Sequence, residues 1–236
     1  CRLSAEHPIA TALQPYHEHN AQEIRPLVLE RLAEEASIAL VSDAGTPLIS
    51  DPGYKLVRAV REAGHPVYTV PGASALTAAL SIAGAPTDRF LFAGFLPPKS
   101  GARKSALREL AAVPATLVFY ETGPRLAGCL ADMAETLGDR DCAIARELSK
   151  IYEEVRDGTL AGLARHYREH GPKGEIVICV HPAPGSDMDE AAMQALLGVL
   201  LESHTVKDAV AVAAQQSGWP RKRVYDLALA LKTPLA

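Results

Sequence analysis

Two short segments concentrate the residue types that hold polar ligands. The stretch Leu40-Val41-Ser42-Asp43-Ala44-Gly45-Thr46-Pro47-Leu48-Ile49-Ser50-Asp51-Pro52-Gly53 sets two aspartates, two glycines, two prolines and three hydroxyls behind an apolar run. A plain connection needs only a few residues, so a loop this elaborate reads as a ligand cradle on a rigid scaffold. Asp43 would accept hydrogen bonds from a ligand hydroxyl or amine, or hold the loop as an Asx turn. The second segment, Val70-Pro71-Gly72-Ala73-Ser74-Ala75, puts Ser74 at a helix start, where capping and ligand contact are compatible.

Other chemistry has less support. His166-Tyr167-Arg168-Glu169-His170 has the H-x-x-E-H spacing of some zinc peptidases, but it sits at the polar end of a short helix that meets Gly171-Pro172 at once. His17-Glu18-His19 lacks the further cysteine or carboxylate that would complete a metal shell, so no metal is expected. The chain has no G-x-S-x-G elbow, Walker loop or G-x-G-x-x-G, which removes the main support for a serine hydrolase, a P-loop NTPase or an ordinary dinucleotide-binding protein. Two basic clusters stand out. Lys99, Arg103, Lys104 and Arg108 follow a Phe95-Leu96-Pro97-Pro98 loop, and Arg221-Lys222-Arg223 follow Trp219 closely. Each alone is usually a solvated face; together they make contact with a phosphate backbone plausible.

The elements that must position these residues alternate at first. Helical periodicity over Ala21 to Glu35 leads into an apolar run, Ser37 to Val41, read as a buried strand. A helix over Gly53 to Ala63 and a strand over Val67 to Val70 follow, then a helix over Ser74 to Ile82. This order predicts a parallel sheet with both loops at the carboxyl ends of strands, where such sheets bind ligands. A strand over Phe90 to Phe92 opens a second, mixed α/β domain. It holds strands over Thr116 to Tyr120, Asp141 to Arg146, Ile151 to Arg156 and Glu175 to Val180, and helices over Arg103 to Ala112, Pro124 to Leu137 and Leu160 to His170. Pro182 to Gly185 reads as a linker to three helices, Met188 to Leu201, Val206 to Gln216 and Arg221 to Leu231. Thr205 with Asp208 is a capping box, and Ser217-Gly218-Trp219-Pro220 separates the last two helices. The expected domains are 1–88, 89–183 and 187–236.

Composition bounds these readings. The chain has 236 residues, 48% hydrophobic and 22% charged, enough to bury a sizeable core. Mean hydropathy is +0.03, and no run reaches the roughly 18 apolar residues of a membrane span. A net charge of -4 excludes a surface that is basic throughout. The four cysteines, Cys1, Cys129, Cys142 and Cys179, have no paired short spacing, which fits reduced thiols in a cytoplasmic protein.

The order of motifs carries a resemblance. Val41 to Gly53, Val70 to Ala75, Gly94-Phe95-Leu96-Pro97, Phe119-Tyr120-Glu121-Thr122-Gly123-Pro124-Arg125, Arg146-Glu147-Leu148-Ser149-Lys150 and Lys173-Gly174-Glu175 resemble the tetrapyrrole (corrin/porphyrin) methylase superfamily. Within it they are most similar to the bacterial branch that methylates cytidine 2′-hydroxyls of 16S ribosomal RNA. The resemblance runs from about Tyr16 to the helical tail. It implies a tetrapyrrole-methylase-like α/β fold, with two α/β domains, a cleft between them and a small helical extension. It also implies S-adenosylmethionine as cofactor, the 16S rRNA of the small ribosomal subunit as partner, a homodimer, and no membrane.

By motif position the resemblance maps cofactor contacts to Asp43, Ala44, Thr46, Ser74, Ala75, Glu121, Ala161, Gly174 and Glu175. Glu121, Glu147 and Lys150 are the candidates for the group that assists the reacting hydroxyl. Lys99, Arg103, Lys104, Arg108, Arg125, Arg221, Lys222 and Arg223 would hold RNA. Relatives begin with a further βα unit before the point matching Cys1, so the N-terminal sheet is expected to lack a central strand. Two other readings remain: an enzyme of the same superfamily that methylates tetrapyrrole-precursor carbons or a modified histidine, and a non-catalytic RNA-binding assembly factor. The Ser42-Asp43-Ala44-Gly45-Thr46-Pro47 loop and the basic-tipped tail fit the RNA enzyme better than the first of these, and cofactor binding separates it from the second.

Overall fold

A computed structural model describes residues 10–183, 190–217 and 219–232. They fall into two compact units divided between Ile82 and Ala83.

The first unit contains helices α1 (Ala21–Ala33), α2 (Tyr54–Glu62) and α3 (Ala75–Ile82). Asn20 fixes the entry to α1: its Oδ1 accepts from His17 N at 2.8 Å and its Nδ2 donates to the Pro15 carbonyl at 2.9 Å. This gives the His17-Glu18-His19 segment a turn-forming role. In α2, Leu56 and Val60 are buried one turn apart, while Arg58 and Glu62 pair at 2.8 Å on the exposed side. The two strands expected here do not form. Ser37 to Val41 and Val67 to Val70 enter no ladder among the described residues, and Val41, Val67, Tyr68 and Val70 are exposed. An apolar run becomes a strand only when a neighbour takes its N–H and C=O groups.

The second unit is built on a five-stranded sheet of β1 (Phe90–Phe95), β2 (Thr116–Thr122), β3 (Asp141–Arg146), β4 (Glu154–Thr159) and β5 (Glu175–Val180), in the order β1-β2-β5-β3-β4. β1 and β2 are parallel and the other pairings antiparallel, the mixed sheet the sequence predicts. Ile176 to Val180 are all buried, as a continuous apolar run in a central strand requires. The edge strand β4 is polar and carries Arg156 and Asp157, which discourages pairing with another chain. Helices α4 (Ser100–Leu110), α5 (Gly123–Leu137) and α6 (Leu160–Glu169) complete this layer. Phe119, Leu126, Leu130, Met133, Ile144 and Ile178 lie in its fully buried core.

One strand is displaced from its expected place. The sequence assigns Ile151 to Arg156, but the ladder runs over Glu154–Thr159, with Arg146 opposite Glu154. Residues 147–153 form a loop with left-handed backbone at Glu147 and Ser149, which leaves Ile151 and Tyr152 exposed. The last helices, α7 (Glu190–Ser203), α8 (Val206–Ser217) and α9 (Arg221–Lys232), gather around their own core of Met193, Leu197, Val210, Ala213, Val224 and Ala228. Thr205 caps α8: Asp208 N donates to Thr205 Oγ1 at 3.3 Å, and that hydroxyl donates to Asp208 Oδ2 at 2.7 Å, so the expected pair meets through its side chains. Pro184, Gly185, Met188 and Gly218 lie outside the described residues.

Candidate functional site

The sheet register brings four strand ends of the second unit together. Thr122 lies opposite Glu175, and Arg146 lies opposite both Ile176 and Glu154. The carboxyl ends of β2 and β3 therefore share one end of the sheet with the starts of β4 and β5. Candidates far apart in sequence meet here.

Glu121 is the penultimate residue of β2 and is buried. Its Oε1 accepts from Thr122 N at 2.8 Å and faces Arg125 Nε at 3.1 Å, while Oε2 is enclosed with no hydrogen-bond partner. Arg125 is fixed from its other side, its NH2 donating to the Leu96 carbonyl at 2.6 Å. A buried carboxylate oxygen without a donor is costly unless a ligand supplies one. The next turn is sterically closed: a Cβ on Gly123 would collide with the Pro172 carbonyl, so only glycine lets α5 start there.

The second cluster joins the Arg146 to Lys150 motif to the Lys173 to Glu175 turn. Glu147 N donates to the Glu175 carbonyl and Glu175 N donates to Glu147 Oε1, both at 3.0 Å. Lys150 Nζ donates to Glu147 Oε1 at 3.0 Å and to Glu175 Oε2 at 2.9 Å. Gly174 has φ of 94°, and a Cβ there would run into the Glu147 carboxylate, so conformation and space both select glycine. The Glu175 backbone N–H, and then Lys150, hold the Glu147 carboxyl below its ordinary value. Glu175 and Glu147 raise Lys150, which stays a cation at neutral pH. A base must accept a proton near the working pH. Neither Glu147 nor Lys150 is tuned for that, whereas Glu121 has an oxygen free to act.

In the first unit the two predicted loops touch. Thr46 Oγ1 donates to the Ala73 carbonyl at 3.1 Å, beside Ser74 and Ala75. Ser42 Oγ reaches the carbonyls of Ala44 at 3.1 Å and Gly45 at 2.9 Å, and Gly45 supplies the left-handed turn with φ of 73°. This rigidly folded loop also presents Asp43.

Other candidates are placed differently. Ala161 is not part of the cluster: its N donates to Asp139 Oδ1 at 2.7 Å near the start of β3, where Thr159 pairs with Asp141, at the opposite end of the sheet from Arg146. Arg103 is buried, with Nε 2.7 Å and NH2 2.6 Å from Asp132 Oδ2, and Lys104 Nζ donates to Glu135 at 2.6 Å. Of that patch, Lys99 and Arg108 face solvent. Arg221, Lys222 and Arg223 are exposed, with Arg223 stacked 3.7 Å over the Trp219 ring. No three His, Cys, Asp or Glu side chains gather as a metal site among the described residues. A cluster that no reading of the sequence brought together is Arg146, Arg156 and Tyr167, assembled by the β3–β4 ladder and the packing of β4 against α6.

Comparison with known proteins follows this geometry. A family model described as tetrapyrrole (corrin/porphyrin) methylases matches residues 2–164, and one described as the RsmI C-terminal HTH domain matches 187–232. A Mesorhizobium japonicum protein named ribosomal RNA small subunit methyltransferase I is 48% identical over 92% of this chain and 74% of its own length. A Xylella fastidiosa protein of the same name is 46% identical over 95% of this chain and 84% of its own. In fold, the chain is similar to the methyltransferase CobJ, with a TM-score of 0.54 at 22% identity, covering 75% of this chain and 79% of that one.

Proposed function

The chain belongs to the tetrapyrrole (corrin/porphyrin) methylase family, and from that membership we propose that it methylates a ribose 2′-hydroxyl of a decoding-region cytidine in 16S ribosomal RNA, with S-adenosylmethionine as donor. The observation that carries the RNA reading is the joint match of the methylase model and the C-terminal helical model on one chain. The second matches three helices, the last of which begins with exposed Arg221 and Lys222.

The residues present fit such a cofactor. Glu121 Oε2 is a buried acceptor in need of a donor, which an amine or ribose hydroxyl supplies. Asp43, Ala44, Thr46, Ser74 and Ala75 are the contacts proposed within the first unit, whose two loops touch through Thr46. When bound, S-adenosylmethionine supplies an electrophilic methyl group on a sulfonium. The protein then has to align the ribose oxygen with it and take up one proton. Alignment contributes most of the acceleration in a displacement of this kind. Glu121 is proposed to accept the hydroxyl proton through Oε2, with Arg125 on Oε1 to steady the carboxylate. Lys150, held as a cation by two carboxylates, would stabilise negative charge that develops on the ribose oxygen. Lys99, Arg108, Arg221 and Lys222 would contact phosphates.

No helix among the described residues is long and apolar enough to cross a membrane. We propose a cytoplasmic homodimer that acts on the small ribosomal subunit. The test is incubation with labelled S-adenosylmethionine and small subunits lacking the modification, followed by mapping of the label. Label on a 2′-O-methyl cytidine of 16S rRNA is the expected result. Transfer only to tetrapyrroles, or no transfer with intact RNA binding, would replace this reading with one of its rivals.

A further inference from the structure

At the sheet edge formed by β4, Arg146, Glu154, Arg156, His166, Tyr167 and His170 line an open pocket of about 380 Å³. Glu154 is shared between two cations. Its Oε2 faces Arg146 Nε at 3.2 Å and NH2 at 3.0 Å, and its Oε1 faces Arg156 Nε at 3.0 Å and NH2 at 2.8 Å. One carboxylate against two guanidiniums leaves the trio with a net positive charge of one, arranged as rigid donor forks.

Tyr167 is 4% exposed, and its enclosed hydroxyl meets no acceptor for its proton. Arg156 stands beside it but can only donate, and both oxygens of Glu154 are already taken. The phenolic proton therefore has no acceptor. Burial, and then Glu154, raise the Tyr167 pKa against the opposing pull of Arg156, so the group remains an O–H donor. Besides the Glu154 carboxylate, which the two guanidiniums outweigh, the carbonyl end of α6 would repel an anion, and it is capped: His166 O accepts from His170 N at 2.9 Å and from its Nδ1 at 3.1 Å. The two imidazole rings stack with centroids 4.7 Å apart and form one wall.

We propose that this pocket is an anion site that takes a backbone phosphate of the RNA substrate next to the reacting nucleotide. The inference rests on the RNA reading above for the source of the phosphate. Position favours a strand-borne group over a free ion. Arg146 directly precedes Glu147, and Pro172, on the pocket wall, abuts Gly123 two residues from Glu121. The pocket lining thus adjoins the segments that carry Glu121 and Lys150. Two guanidiniums and a phenol match the oxygens of a phosphodiester.

The test uses the full chain and two single variants, Arg156→Gln and the isosteric Tyr167→Phe, each checked for cooperative unfolding. Affinity for a short single-stranded oligoribonucleotide is measured across a salt series, and inorganic phosphate is titrated separately by NMR. Arg156→Gln should weaken RNA binding about tenfold, and its log-log salt slope should become shallower by about 0.7, the value for one phosphate contact on a single strand. Tyr167→Phe should weaken binding about threefold with the slope unchanged, as loss of a neutral donor predicts. Affinity and slope unchanged in both variants would overturn the proposal. Saturation by inorganic phosphate without competition from the oligoribonucleotide would reassign the site to a free anion and overturn the RNA source. None of these readings needs methyl transfer, so an inactive wild-type chain would count against the proposed function alone.

Discussion

Arg125 Nε lies 3.1 Å from Glu121 Oε1, and the other oxygen of the same carboxylate is buried with no N–H or O–H donor, the Cys129 thiol standing beside the carboxylate. The pairing fixes the carboxylate and leaves one lone-pair face unused. An unused buried acceptor at a strand end points to a ligand, because packing alone gains nothing from it.

Glu121→Gln keeps the shape and the Thr122 and Arg125 contacts but removes the basic oxygen. If Glu121 takes the hydroxyl proton, methyl transfer should fall by about 10²- to 10⁴-fold while the unfolding midpoint moves little. Single-turnover transfer of labelled methyl groups measures it. Activity within a few-fold of wild type would remove Glu121 from the chemistry and leave alignment alone to account for the rate.

The basic segment after Pro98 divides into structural and available charges. Arg103 Nε and NH2 hold Asp132 at 2.7 and 2.6 Å, and Ser100 Oγ donates to the other oxygen at 3.0 Å. Asp132→Ala leaves a buried guanidinium without its partner and should destabilise the protein by about 3 to 5 kcal/mol, read from urea denaturation. Arg108→Gln, at an exposed position, should leave stability unchanged and make the salt slope of RNA binding shallower by about 0.7. The assignment is wrong if Asp132→Ala unfolds at the wild-type midpoint.

Cys129, Cys142 and Cys179 are buried, and burial, before any neighbouring charge, pushes each thiol up to about 12. The nucleophile is the thiolate, so none of the three should react with iodoacetamide in the folded protein at pH 8. All three should react in denaturant. Alkylation of any of them in the native state, counted by mass spectrometry, would contradict this packing.

The sequence was legible where a single physical signal dominated. Glu175–Val180 and Asp141–Arg146 are continuous apolar runs between turn residues, and the strands form over those bounds. β4 was misplaced because its residues, Glu154 to Thr159, are polar and include Asp157 and Gly158. Its strand identity comes from the ladder to β3, while the apolar Ile151 and Tyr152 belong to an exposed loop. Ser37 to Val41 and Val67 to Val70 fail in the opposite sense: they have strand composition without a described ladder. Among site residues, motif order flagged Glu121, Glu147, Lys150 and Glu175, yet only the register reveals that Lys150 bridges carboxylates 28 residues apart. Arg103 looked available because its partner, Asp132, is 29 residues away on another helix.

Lys150 between Glu147 and Glu175 makes the order of residues 147–153 depend on pH in both directions. Glu147 is held below its ordinary 4.5, mainly by the Glu175 N–H, and so contributes order that is complete above that value and lost as pH falls through the lowered one. Lys150 is held above its ordinary 10.5, mainly by Glu175. Its contribution is complete below that value and lost as pH rises through the raised one. The loop should therefore be most rigid on a plateau from about pH 5 to about pH 10, loosening on either side while the buried sheet stays folded. Because these groups are exposed, the effect is local and weakens with added salt. Backbone ¹⁵N relaxation at Ser149, Ile151 and Tyr152 across the pH range measures it, with Lys150→Met expected to give the loosened values at neutral pH. Relaxation that ignores both pH and the Lys150 substitution would mean that the Glu147 to Glu175 backbone pair holds the loop without the lysine.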